Sequence, residues 1–201
     1  QQLRFTLPLS IGGLLQAASP FLVGAFISRA FDAIRMYAIH VVTIGVANPF
    51  GFAALRMQAV VVAFRPDRKR EKSLLKFAAV SGTVLALPLM LLCIDQIGAW
   101  YFGTIQNLPA DSLQEATTVV LTFALLPILQ SLRGWTEGVA ACRRRPSIIM
   151  VGQLTNLLTL ILALAAFHSR SIKGCYMGVG AILLGVIGTL LVENLRLKKN
   201  T

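Results

Sequence analysis

The sequence predicts an all-α membrane protein, a six-transmembrane-helix bundle, and three observations support this class. Of the 201 residues, 56% are hydrophobic and only 13% are charged, and the apolar residues fall into six long runs. A soluble domain carries about 25% charged residues, whereas a membrane-spanning helix needs roughly 20 mostly apolar residues. We interpret every run as a helix because an isolated strand cannot satisfy its backbone hydrogen bonds in lipid.

Polar and charged breaks delimit the six helices of this single transmembrane domain, residues 1–201. The first run is too long for the apolar core of a signal peptide. The second ends at the charged loop 65–72, the third at the connection 95–114, and the fourth at the basic turn 143–146. A polar turn at 168–173 separates the last two. The predicted helices span about residues 5–29, 36–64, 73–94, 115–142, 147–167 and 174–194.

Lysine and arginine are distributed unequally between the two ends of the predicted bundle. Thirteen lie on the side that contains the loops 65–72 and 143–146 and the C-terminal tail, and four lie on the other side. Because cytoplasmic loops of membrane proteins are enriched in these residues, we expect both termini to be cytoplasmic, in the plasma membrane or the inner membrane of a bacterium. The net charge of +11 therefore predicts contacts with membrane lipid, and we expect no nucleic acid partner.

Two arginines lie inside predicted spans, where a charged side chain costs roughly 2.5–3.5 kcal/mol on insertion scales. Arg56 and Arg133 precede the basic loops at Arg65 and Arg143 by nine and ten residues, so they share a depth in the bundle. We expect both guanidinium groups to face one cavity and to bind a small anionic substrate through their planar donor fork. Two alternatives stay open: the side chains reach the lipid headgroups, or Arg133 pairs with Glu137 on the same helix face.

Polar residues in the second and fifth helices are further candidates for substrate binding. Asn48, Gln153 and Asn156 are predicted to line the anion pathway together with Glu137, although such residues equally form hydrogen bonds between helices. His40 is a candidate proton relay, and its alternative role is packing at the membrane interface.

Two residues of the second helix predict a bend. Pro49 and Gly51 are candidate hinge residues, because proline removes a backbone hydrogen bond and usually kinks a helix. The alternative is that proline and glycine are simply common in membrane helices.

No motif in the sequence indicates an enzyme. The sequence contains no phosphate-binding loop with its lysine, no HExxH motif and no serine, histidine and aspartate set in a credible context. The three cysteines lack the spacing of a metal site. We therefore expect no catalytic residue, no cofactor and no metal.

Short segments throughout the chain resemble one family of membrane proteins. They are Leu7-Pro8-Leu9 through Phe21, Ser28-Arg29, Pro49-Phe50-Gly51, Arg56, Phe64, Arg133 with Gly138 and Arg143-Arg144-Arg145, and Gly178 through Gly185. These segments are similar to the C-terminal half of the progressive ankylosis protein family. That family is part of the multidrug/oligosaccharidyl-lipid/polysaccharide (MOP) flippase superfamily, which includes the multidrug-and-toxin extrusion (MATE) exporters.

The resemblance implies one lobe of a MATE/MOP-like transporter. Members of that family have two similar lobes, each comparable to this chain, so we expect a second six-helix lobe or a homodimer partner. The implied activity is that of a secondary active transporter, an antiporter that exports a small organic anion or pyrophosphate by alternating access. A lipid-linked sugar flippase of the same superfamily and a non-transporting scaffold subunit are the alternatives.

Overall fold

The fold is entirely helical in the part of the chain that the computed structural model describes, residues 2–65 and 67–199. A π-helical turn, Trp100–Ile105, and a 3-10 turn, Ala110–Ser112, lie between the fifth and sixth α-helices. The nine α-helices of the described residues are α1 (Gln2–Ile27), α2 (Ala33–Leu55), α3 (Met57–Phe64), α4 (Arg68–Leu91), α5 (Asp95–Ala99), α6 (Leu113–Phe123), α7 (Leu125–Cys142), α8 (Pro146–Ser169) and α9 (Gly174–Lys199). The predicted all-α class is confirmed.

The described residues include five helical segments that are long and apolar enough to cross a membrane. They are Ala33–Phe64, Arg70–Leu91, Ala110–Cys142, Pro146–Ser169 and Gly174–Lys198. In α1 the apolar stretch of this kind is shorter, Ala17–Ile27. Helix α4 also exposes large apolar side chains at helical spacing, at Phe77, Val80, Val84, Leu87 and Leu91. Length, composition and this apolar surface are compatible with an integral membrane protein.

The predicted helices correspond to observed ones, with two interruptions and one addition. Predicted helix 36–64 is divided at Arg56 into α2 and α3, and predicted helix 115–142 is divided at Ala124 into α6 and α7. The connection 95–114 was expected to be non-helical, and this prediction is wrong, because it contains α5 and the π-helical turn. Burial explains why this connection is helical. Phe102 in the π-helical turn is fully buried in the main core, so tertiary packing stabilises a segment that the sequence predicts to be a loop.

The two ends of the bundle are held by separate ion pairs. At one end, which we call the basic end, Arg143 Nη2 donates to both carboxyl oxygens of Glu71, at 2.9 and 3.1 Å. At the opposite end, Glu115 accepts from Arg35 Nη2 at 2.7 Å and from Lys173 Nζ at 2.6 Å. The hydrogen bond to Glu115 raises the pKa of Lys173. The last turns of α9 lie at the basic end, because Asn194 and Lys198 line one depression with Glu71 and Arg143. The loops that precede α4 and α8 and the last turns of α9 therefore share one end, as predicted, although residues 1, 200 and 201 lie outside the described part.

Helix α7 is the centre of the bundle, and α1 lies at its edge beside α8. α7 packs against α2, α3, α4, α8 and α9, whereas α1 packs mainly on α8 and touches α2 only slightly. This asymmetry leaves a gap between α1 and α2. One face of α2, which we call the exposed α2 face, carries residues three or four apart that continue to the residue after the helix: Tyr37, Val41, Gly45, Pro49, Phe52 and Arg56. Tyr37, Val41 and Phe52 of this face border the gap.

The interruption of the second predicted helix lies at Arg56 instead of at Pro49 and Gly51. Helix α2 runs through both predicted hinge residues, and Arg56 N bonds to Ala53 O at 3.2 Å, a tighter three-residue turn. A close approach between backbones accompanies this break. A Cβ atom on Gly134 of α7 would lie 2.6 Å from Leu55 O, so only glycine lets α7 contact the chain here. The helical assignment is therefore interrupted at Arg56 and not at Pro49 or Gly51, and the bend and hinge role predicted for those two residues stay predictions.

Candidate functional site

A cavity of about 250 Å³ opens between α1, α2, α7, α8 and α9. Its wall is largely apolar and carries a small set of polar side chains, which is typical of small-molecule sites. The polar members are Ser19, Tyr37, His40, Asn48, Gln130, Arg133 and Asn156.

Arg133 is the only charged residue among the described residues that line this cavity. It lies near the middle of α7, and its side chain is only 1% exposed. Nε donates to Glu137 Oε1 at 2.8 Å, so the predicted pair one helical turn apart is present. Nη2, in contrast, is buried and has no hydrogen-bond partner in the structure. The pair therefore uses only part of the guanidinium donor set, and the two N–H groups of Nη2 remain for an acceptor in the cavity.

Three other buried polar atoms on the cavity wall lack partners: Ser19 Oγ, His40 Nδ1 and Gln130 Oε1. His40 is 5% exposed and packs against the Phe123 ring, with 6.1 Å between ring centroids. Buried polar groups are nearly always hydrogen-bonded in folded proteins. Several of them on one wall beside a guanidinium donor are suited to an anionic ligand that also carries donor or acceptor groups.

The predicted polar residues separate into two groups. His40, Asn48 and Asn156 line the cavity together with Arg133. Gln153 is not among the lining residues, and its Nε2 donates to Glu137 Oε1 at 3.3 Å. Gln153 therefore supports the carboxylate that holds Arg133, and a direct contact with a ligand in this cavity would need Gln153 to move.

Among the described residues, Arg56 and Arg133 line different depressions, so their convergence on one anion stays a prediction. Arg56 is exposed and borders a separate depression with Phe52 and Gln58. The two arginines do share a depth, because Gly134, next to Arg133, lies against the backbone of Leu55 and Gln58. Packing explains their separation: the buried stripe of α2 and α3 faces α7, and this turns position 56 outward. Arg56 therefore belongs to the exposed α2 face.

Sequence reasoning missed one buried acid beside the pair. Glu193 of α9 is 0% exposed, and neither of its carboxyl oxygens has a hydrogen-bond partner in the structure. Because Glu193 lies near the end of the last apolar run, the sequence alone indicates a residue at the edge of the membrane span. The available signal was its spacing: Gly185, Thr189 and Glu193 are four residues apart, which places them on one buried face of α9.

Comparisons with protein-family models, curated proteins and solved structures found no match for this chain. Functional inference therefore depends on the geometry of the cavity and its charged groups.

Proposed function

We propose that this chain is one six-helix lobe of a secondary active transporter of the MATE/MOP type, which exports a small organic or phosphate-bearing anion by alternating access. The observation that carries this proposal is the partnerless Nη2 of Arg133, buried on the wall of a cavity between helices. An intramembrane ionisable group that faces a cavity marks a substrate or ion pathway by default.

An anion is the ligand that fits this donor. A guanidinium group carries a permanent charge and five N–H donors, and two neighbouring donors can bond two oxygens of one carboxylate or phosphate group. In the structure, Glu137 occupies Nε, so an anion can bond Nη2 while this pair persists, and only a bond to Nε would require the carboxylate to be displaced. Ser19 Oγ supplies a further donor to the same space. The pair with Glu137 thus keeps Arg133 compensated while the cavity is empty.

A second lobe, or a second copy of this chain, is part of the proposal. The exposed α2 face carries large apolar side chains, with Tyr37 46% and Phe52 59% exposed, and it lies beside the gap between α1 and α2. A partner on this face would enclose the cavity and turn Arg56 toward the path between the lobes. Alternating access then consists of one lobe rocking against the other around the anion.

A lipid-linked sugar flippase is the second candidate, and the apolar residues of the cavity wall favour it. Val41 and Phe52 are exposed and also line the cavity, so a lipid tail could leave between α1 and α2 while its phosphate bonds Arg133. Competition separates the candidates. We expect citrate and pyrophosphate to displace each other from the purified chain, whereas a flippase would bind a polyprenyl phosphate and ignore citrate.

The proposed orientation places the basic end in the cytoplasm. Single cysteines at Lys72 and Arg170, both exposed and at opposite ends, are expected to differ in labelling by a membrane-impermeant thiol reagent. The background replaces the native cysteines Cys93, Cys142 and Cys175. Intact cells should label position 170 only, and position 72 should react after the membrane is opened. Labelling of position 72 from outside would reverse the orientation.

Substitutions at Arg56 test its proposed place on the path between lobes. Because Arg56 is exposed, we expect Arg56→Ala to leave the thermal unfolding temperature nearly unchanged and to slow anion transport by about tenfold, equivalent to one lost charge-assisted hydrogen bond. Arg56→Lys keeps the charge without the planar fork and should be intermediate. If the side chain only reaches lipid headgroups, lysine will transport at the wild-type rate.

A further inference from the structure

Glu193 is a buried carboxyl group that the proposed anion site does not use. A Cβ atom on Gly152 of α8 would lie only 2.8 Å from its carboxyl carbon, so the acid occupies space that this glycine leaves open. The hydroxyl of Thr189, one turn earlier on α9, lies 3.1 Å from both Gly152 O of α8 and Gly185 O of α9, so its single proton is shared between these acceptors where the two helices meet. An unpaired charge is costly to bury, yet this site is built closely around a carboxyl group.

The charged groups that act on Glu193 come from α7. Glu137 and Arg133 interact with it electrostatically. Helix α8 presents Gly152 and Gln153, which carry no charge, and Gln153 Oε1 also lacks a hydrogen-bond partner. The titratable residue of α2 near α9 is His40, but it lies beside Gly178, roughly 22 Å along α9 from Glu193.

The remaining helices in contact with α9 place their charges elsewhere. The acid of α6, Glu115, lies at the opposite end of the bundle, where it holds Lys173. The described side chains of α1 that approach α9 are uncharged. On α9 itself, Arg196 and Lys198 follow Glu193 toward the basic end. The buried charge balance therefore involves one guanidinium group and two carboxyl groups.

This cluster has one negative charge in excess when both acids are ionised. Glu137 is compensated, since Arg133 Nε and Gln153 Nε2 both donate to it. Among the described residues, Glu193 has neither a donor nor a cation within bonding distance. A proton taken from water would neutralise Glu193 and convert it into a donor, and the adjacent Gln153 Oε1 is an acceptor without a partner.

We propose that Glu193 is a proton-binding site, and that a proton on Glu193 and an anion on Arg133 favour each other's binding. This inference rests on the proposed anion site. An anion at Arg133 adds negative charge near Glu193 in a medium of low dielectric constant, which favours the protonated acid. By thermodynamic reciprocity, the proton strengthens anion binding by the same factor. Anion and proton then occupy the lobe together and move in the same direction, so export follows the gradient of the anion itself, which differs from the antiport that the sequence resemblance implies.

Infrared spectroscopy of the full chain in lipid nanodiscs tests the proton site directly. We expect the pH titration to show the carbonyl band of a protonated carboxyl group, and Glu193→Gln to remove it. Glu115→Gln is the matched control, because it removes an acid at the opposite end of the bundle and should leave the band unchanged. Absence of the band in the wild-type protein, or its persistence in Glu193→Gln, overturns the proton site whether or not an anion binds.

Equilibrium binding of oxalate, which stays doubly ionised near neutral pH, tests the coupling. We expect wild-type affinity to fall as pH rises, approaching the limit of about tenfold per pH unit for one linked proton. Glu193→Gln resembles the protonated acid, so it should bind oxalate tightly at every pH. If the affinity of the wild-type chain for oxalate is independent of pH, the coupling between proton and anion is overturned. If the affinity for oxalate instead changes when sodium is replaced by choline at constant pH, sodium is the coupled cation and the coupling to a proton is overturned. Failure of oxalate, citrate and pyrophosphate to bind, with the band present, overturns the proposed function and the coupling while supporting the proton site.

Discussion

Replacing Arg133 with alanine is expected to abolish anion binding and to lower the free energy of unfolding by roughly 3–5 kcal/mol. The substitution leaves Glu137 buried without its cation, at 4% exposure, beside a second buried acid, Glu193. Breaking one side of a buried ion pair is costly because the remaining charge keeps its full desolvation penalty. Thermal or denaturant unfolding in detergent measures the loss of stability, and ligand-induced stabilisation by citrate measures binding.

The double variant Arg133→Met/Glu137→Gln separates the two effects. It removes both charges at nearly constant volume, and such replacements of a buried pair are often neutral or stabilising. We therefore expect it to unfold close to the wild-type temperature and to remain unable to bind citrate. Wild-type stability in Arg133→Ala would contradict the buried pair, because Glu137 would then have found another partner at no cost.

Replacing Gly134 with alanine is expected to be strongly damaging for a change of a single methyl group in α7. The added Cβ would lie 2.6 Å from Leu55 O and 3.1 Å from Gln58 N. Both atoms belong to the backbone at the break between α2 and α3, so no flexible side chain can move aside. Overpacking of this kind costs about 1–3 kcal/mol and sometimes more. Because Arg133 is the preceding residue, we also expect weaker anion binding.

Gly45→Ala is the matched control for this substitution. Gly45 lies in the middle of α2, and no atom would lie within 4 Å of an added Cβ. Alanine is favoured over glycine in helices by about 1 kcal/mol, so this variant should be as stable as the wild type or slightly more stable. Equal unfolding temperatures for the two alanine variants would show that α7 does not pack tightly on the α2–α3 break.

The helical class and the pairing of Arg133 with Glu137 could be predicted because both follow from local periodicity. Long apolar runs in lipid have few alternatives to helix, and residues four apart share a helix face. The break at Arg56 and the helical turn at Phe102 could not be predicted in the same way. Each depends on packing between distant segments, at Gly134 for the first and in the main core for the second.

The candidate site was only partly predictable for a related reason. A charge inside an apolar run is visible in sequence, so Arg133 was found, but sequence does not say how a helix is rotated against its neighbours. That rotation turns Arg56 outward and turns Glu193 into the protein, although both lie toward the ends of their apolar runs. The space that the Glu193 carboxyl group occupies is left open by Gly152, which lies forty-one positions earlier in the chain.

Equilibrium binding of radiolabelled citrate and pyrophosphate to the purified chain in nanodiscs tests the anion site at Arg133 most directly. The wild-type chain is expected to bind at least one of the two anions saturably, with one site per chain. The double variant Arg133→Met/Glu137→Gln, shown to be folded by its unfolding temperature, is expected to bind neither. Saturable binding by this variant with wild-type affinity would contradict an anion site at Arg133.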